Sequence, residues 1–330
     1  MFSFILVYEE DFNPYFLFVF HIYAEAQNSY AGLITKADSL YRVKNYKVAN
    51  ESYLQAFKLE QKDKNDLYNA ACVAALAGDK KNAFKFLNLS IDRGWVDLEH
   101  FKTDSDLGSL HDDIEWKQTI FKLQEKIKQI ELGYNKEAKV ALEEVYKTDQ
   151  GIRLEYIEAQ KKYGYKSKKV DSLIKLMNYN DSLNTITVAK TLDKYGWLGE
   201  DKVGSKGNTT LFLVIQHANL KTQQKYLPML RKAVKNGKAR PSSLALLEDR
   251  VALREGRKQI YGSQLSSVPD NPSKYYLSPL TDPDNVDKRR ASVGLQPLAD
   301  YIKRWNIVWN VEEYKKQLPQ YEEWEKTTKW

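Results

Sequence analysis

Cysteine is almost missing from the chain: Cys72 alone stands among 330 residues, which excludes an intrachain disulfide framework and a cysteine-rich zinc site. Compartment stays open on this count, because secreted proteins need not contain disulfides. Histidine is scarce as well, with four in all and only His217 in the second half. No HExxH spacing, no Gly-x-Ser-x-Gly elbow and no Cys/His pair occurs, so neither metal catalysis nor a familiar nucleophile is indicated. No metal and no cofactor are expected. The glycines of 203–207 lack the Walker spacing and follow no strand pattern, so a turn explains them better than a phosphate loop. Residues 16–23 are apolar but too few to span a bilayer, and no transmembrane anchor is expected.

That short apolar run ends in Ala24-Glu25-Ala26, the small-x-small form read by signal peptidase. Residues 1–26 are therefore expected to be a signal peptide and the protein periplasmic or secreted. The run lacks the usual basic start: Glu9, Glu10 and Asp11 precede it, and no Lys or Arg occurs before Lys36. If the segment is not a leader, the protein is cytoplasmic.

Acidic residues run short after the leader. Its removal takes four acids and no bases, leaving 51 basic against 40 acidic residues, a net +11. The excess is local: 221–258 holds eleven Lys or Arg against three acids, and 161–169 holds five Lys and no acid. Such faces can favour anionic partners. No nucleic-acid-binding module accompanies them, so nucleic acid is not the expected partner.

What is present is helical. With 42% hydrophobic and 12% aromatic residues a full core is assured. Ala37, Asn45, Ala49, Tyr53 and Ala56 recur thirty-four residues later as Ala71, Asp79, Ala83, Leu87 and Ser90. Small residues at these places let paired helices approach closely, and larger ones fill the groove between them. This stretch resembles two tetratricopeptide repeats. Gly94-Trp95, Asp97-Leu98, His100-Phe101, Asp104, Asp106-Leu107, Leu110-His111 and Trp116 resemble the segment that closes such arrays. The resemblance implies a concave surface for a protein or peptide partner. Residues 27–132 are expected to hold the repeats and cap, and 133–330 a second, mostly helical domain; the fold class is all-α.

In the second domain, 136–163 is predicted to be one long amphipathic helix. Asp149 and Arg153, four apart, fall inside its apolar sector. Further helices are predicted at about 168–177, from an Asp181 cap to 195, from 208, from 222 and from 241, with a long loop over 269–283. On the helix from 241, Leu246, Leu247, Arg250 and Leu253 share roughly a third of the circumference. A guanidinium within that sector must find a carboxylate, carbonyls or a bound anion. Asp149 is the candidate partner, with Gln150 extending the network.

From about 148 to 301 the chain resembles a bacterial family of domains of unknown function. The resemblance rests on Asp149-Gln150 with Arg153, Tyr195-Gly196-Trp197, Gln216-His217, Leu247-Glu248-Asp249-Arg250, Gln259 with Tyr261-Gly262 and Gln264, Arg289-Arg290, and Val293-Gly294-Leu295. It implies no activity and marks which polar residues matter. Two functions remain. One is a binding or scaffold protein whose second domain recognises an anionic group through Asp149, Gln150, Arg153, Gln216, Arg250, Gln259, Tyr261, Gln264, Arg289 and Arg290. The other is a hydrolase or transferase using His217 and Asp249, with arginines stabilising charge.

Overall fold

The computed structural model describes residues 29–60, 63–269 and 271–327. The expected signal peptide lies outside them. The described chain is all-α apart from one two-stranded sheet, and it divides into two compact units, with the boundary between Leu132 and Gly133.

The first unit is built from helical hairpins. Helices α1 (Tyr30–Arg42) and α2 (Tyr46–Leu59) pack as one pair, and α3 (Lys64–Leu76) and α4 (Lys80–Asp92) as the next. Three of the four opening turns are held by the side chain that precedes them. Ser29 and Asp79 accept from the amides of Gly32 and Asn82, and Asp63 from those of Asn65 and Asp66, occupying donors that a helix start leaves unpaired. Ala37, Ala49, Ala56, Ala71, Ala83 and Ser90 are fully buried where the helices cross, with Tyr53 and Leu87 filling the space between. Next come α5 (Leu98–Thr103), a 3-10 turn (Ser105–Leu110) and α6 (Ile114–Glu131). Trp95 stacks on Tyr68, ring centroids 3.9 Å apart, and Phe101 stacks on Trp116 at 5.2 Å, closing the end of the core.

The second unit starts with a long hairpin, α7 (Lys136–Tyr163) and α8 (Lys168–Tyr195). The predicted pair of helices over 168–195 is a single helix, because Asp181 spends its carboxylate on Arg153 of α7 instead of capping a new start. Helix α9 (Glu200–His217) also begins earlier than predicted and bends at Gly204, whose φ of 71° and ψ of 170° lie in a region open essentially to glycine. Helices α10 (Leu220–Lys235) and α11 (Pro241–Arg254) pack on it. Leu142, Val188, Leu192, Leu211, Ile215, Leu230 and Leu247 form the core these five helices share.

After α11 the predicted loop contains a hairpin, β1 (Leu265–Val268) against β2 (Asn271–Leu277), with Leu265 opposite Leu277 and Ser267 opposite Tyr275. Helices α12 (Val286–Ser292), α13 (Leu298–Ile302) and α14 (Val311–Thr327) finish the unit. A smaller core of Leu277, Leu280, Val286, Leu298, Ile302 and Tyr314 holds this end together.

Two glycines of this unit should respond oppositely to alanine. Gly204→Ala forces a side chain into its glycine-only backbone and should cost about 1–3 kcal/mol. Gly151 sits mid-helix in α7 with open space where a Cβ would go, so Gly151→Ala should stabilise by up to about 1 kcal/mol. Urea titrations of the two variants check both signs.

Candidate functional site

Three helices meet around Asp149. It lies halfway along α7 on the packed face, and its carboxylate is 1% exposed. One oxygen faces His217 Nδ1 at 3.1 Å and Arg153 Nη1 at 3.2 Å; the other accepts from Gln150 Nε2 at 2.6 Å. Arg153 turns its second nitrogen to both oxygens of Asp181 on α8, each 2.9 Å away. Burial alone would raise the Asp149 carboxyl. The hydrogen bond and charge of His217, then Arg153 and Gln150, outweigh it and hold the group below its ordinary value of 3.8. An ionised carboxylate only accepts, so Nδ1 of His217 carries a proton toward it. His217 ends α9.

Oxygen and nitrogen atoms of Asp149, Asp181 and His217 lie within 4.8 Å of one another, a spacing that could hold a metal ion. The guanidinium of Arg153 already bridges the two carboxylates, so a divalent cation there would meet a fixed positive charge. The residues do not fit a metal.

Arg250 projects from α11 toward the end of α9. Its Nε donates to Gln264 Oε1 at 3.0 Å and its Nη1 to the Gln216 carbonyl at 2.8 Å. Asp149, the partner expected from sequence, is not among its contacts. No carboxylate among the described residues pairs with it. Burial, with the neighbouring charges of Arg254 and Arg153, pushes its pKa down to about 10, so it remains a cation at neutral pH.

Asp249, next in sequence, has a different task. It is fully buried and faces the turn that follows α11, where Ile260, Tyr261 and Ser263 point their amides at its carboxylate from 2.6, 2.9 and 3.0 Å. Burial pushes this carboxyl up, and the three amide donors oppose the shift. The turn is clamped from elsewhere too. Gln259 bonds both backbone groups of Gln264, and Arg290 reaches the carbonyls of Tyr261 and Gly262. Arg289 reaches the carbonyl of Ile260 at 2.9 Å. Asp249, Gln259, Arg289 and Arg290 therefore bind protein backbone, and His217 takes Asp149, not Asp249, as its carboxylate.

Between α9, α11 and the hairpin lies a cavity of about 320 Å³. His217, Gln216, Arg250, Gln264 and Ser263 form its polar side, and Tyr275, Tyr301 and Trp305 its aromatic side. Sequence reasoning names Gln216, His217, Arg250 and Gln264 and misses Asp181, Ser263 and the three aromatic residues. For Tyr275 the signal was there, an aromatic pair Tyr275-Tyr276 leading into Leu277, hidden by the Asn, Pro and Ser before it. Among the described residues the first unit has a larger cavity, about 450 Å³, lined by Asp38, Tyr41, Tyr53, Tyr68, Asp104 and Asp106. There Tyr53 donates to Asp38, Tyr68 to Asp104 and Tyr41 to Asp106 at 2.6 to 2.9 Å.

The second unit is thus a helical domain with a polar cavity, a cation on its wall and a charge network behind its histidine. The chain belongs to a family of unknown function, DUF6624, whose model matches residues 137–312. That span contains every motif residue on which the sequence resemblance rests. No curated protein and no solved structure matches the chain. No helix among the described residues is long and apolar enough to cross a membrane.

Proposed function

We propose that the protein is a helical binding protein whose second domain, 133–330, recognises an anionic group in the cavity at Arg250. The observation that carries this is a guanidinium at the cavity wall whose partners among the described residues are neutral. A cation taken from water without a counter-ion is costly, and a bound carboxylate or phosphate would supply the missing charge. In the same reading the first domain, 27–132, is a short tetratricopeptide-like array with its cap, and engages a protein or peptide. Its fully buried small residues and its tyrosine-lined cavity support that. The envelope is the proposed location, on the strength of the small-x-small segment before Gln27.

A titration of the full chain with inorganic phosphate and with acetate tests the anion site. Arg250→Ala should weaken whichever anion binds at least tenfold, a charge-assisted bond being worth about 1.5–3 kcal/mol. Circular dichroism shows whether the variant is folded. Unchanged affinity in a folded variant would refute the assignment.

One observation favours a second reading, a hydrolase or transferase. His217 is oriented by a buried carboxylate 3.1 Å from Nδ1 while it lines the cavity beside Arg250. That is the arrangement of a general base with an anion-stabilising neighbour. In this reading Asp149, and not Asp249, orients His217. Turnover of 4-nitrophenyl phosphate or acetate that vanishes in His217→Ala while anion binding persists would establish it.

A further inference from the structure

The cavity contains more than a charge. Its aromatic side is made by Tyr275 of β2, Tyr301 of α13 and Trp305, while Arg250 and His217 stand on the polar side. Strand pairing fixes Tyr275, because Ser267 opposite sets which way this part of β2 faces, and its neighbour Tyr276 is buried on the other face against Tyr321. Tyr301 is held by its hydroxyl on the Ser263 carbonyl at 2.8 Å and by the edge of Trp305, centroids 5.2 Å apart. Tyr275 is fixed by backbone pairing, and Tyr301 by a hydrogen bond and the edge of Trp305, so the aromatic lining is preorganised.

A third feature is independent of both. Gln216 is 4% exposed and lines the cavity, and its Oε1 is buried with no hydrogen-bond partner among the described residues. Its Nε2 donates to the Leu246 carbonyl at 3.3 Å. A buried acceptor left unpaired costs about 1–3 kcal/mol, so a donor from a bound molecule would be favoured there.

Building on the anionic reading, we infer that the ligand is a single hydroxylated ring bearing one anionic group: the anion on Arg250, a hydroxyl on Gln216 Oε1, and a ring face against Tyr275 and Trp305. The size agrees. A cavity of about 150 Å³ is enough for benzene, so 320 Å³ takes one ring with its substituents. Sugar phosphates and hydroxylated aromatic acids share this chemistry.

Calorimetric titration of the full chain with glucose 6-phosphate and 4-hydroxybenzoate, beside inorganic phosphate and acetate, separates the two sources. At least one ring compound should bind ten times more tightly than its bare anion, and which one identifies the source. Tyr275→Ala and Trp305→Ala should each bring that affinity down to the level of the bare anion without changing phosphate or acetate binding. Equal affinities for ring and bare anion, or an excess that survives both substitutions, would overturn the ring and leave the anion site standing. Binding of none of the four compounds would remove the anion site, and the ring with it.

Discussion

Asp249→Ala should lower the stability of the second unit by about 3–5 kcal/mol, the largest loss expected for any single substitution here. The estimate follows from its partners. Three backbone amides, those of Ile260, Tyr261 and Ser263, point at one buried carboxylate. Alanine leaves donors unpaired where water has little access, at about 1–3 kcal/mol for each one that finds no new acceptor. For a unit of this size 1 kcal/mol moves the melting temperature by about 2–4 °C, so calorimetry should record a drop near 10 °C. Asp249→Asn keeps one acceptor oxygen and should lose roughly half as much. The effect reaches the cavity, since the same turn carries Ser263 and Gln264, and Gln264 holds Arg250 at 3.0 Å. Anion affinity should therefore fall in this variant although Asp249 does not itself line the cavity. A melting temperature within two degrees of the parent would show that the amides do not depend on this carboxylate.

The contrast between Asp249 and Arg250 shows where the sequence was legible. Helical periodicity placed the Arg250 side chain correctly inside the apolar sector and required partners for it. It could not say which segment would supply them, because a helical wheel gives a direction on one helix and nothing about its neighbours. The partners turned out to be a side-chain amide and a main-chain carbonyl. Asp249 was misplaced for a related reason. Its partners are main-chain amides, and backbone donors leave no trace in residue identity. The charges of α7 fared better, since Asp149 and Arg153 are four apart on a packed face and do meet. Asp181 reads as a helix start because Asp is a common cap, yet tertiary pairing with Arg153 overrides that local preference. The all-α class was readable from the repeat spacing and the long amphipathic stretches. The hairpin was not, because Asn271, Pro272 and Ser273 look like loop, and strand propensity depends on what the strand packs against.

Asp149→Asn should give a loss that depends on pH, and this dependence separates a charge network from mere packing. The Asp149 carboxyl is held below 3.8 in the folded chain, against its ordinary value when unfolded. A depressed acid contributes stability that is fully present above the unfolded value and disappears as pH falls through the folded one. The parent should therefore lose this contribution below about pH 4, while the variant, with nothing to protonate at this position, does not. At pH 7 the variant should be less stable by about 2–4 kcal/mol. The full cost of breaking a buried pair is softened here because Arg153 keeps Asp181 and its bond to the Asp149 carbonyl. Urea titrations from pH 3 to 8 give both curves, and subtracting one from the other removes the carboxylates they share. The difference should begin to narrow below about pH 4, as the carboxyl starts to protonate. Parallel curves would mean that the charge on Asp149 contributes nothing beyond shape. His217 would then lose the anion that fixes its tautomer, and the acid–base reading of the cavity would fall while anion recognition by Arg250 remained.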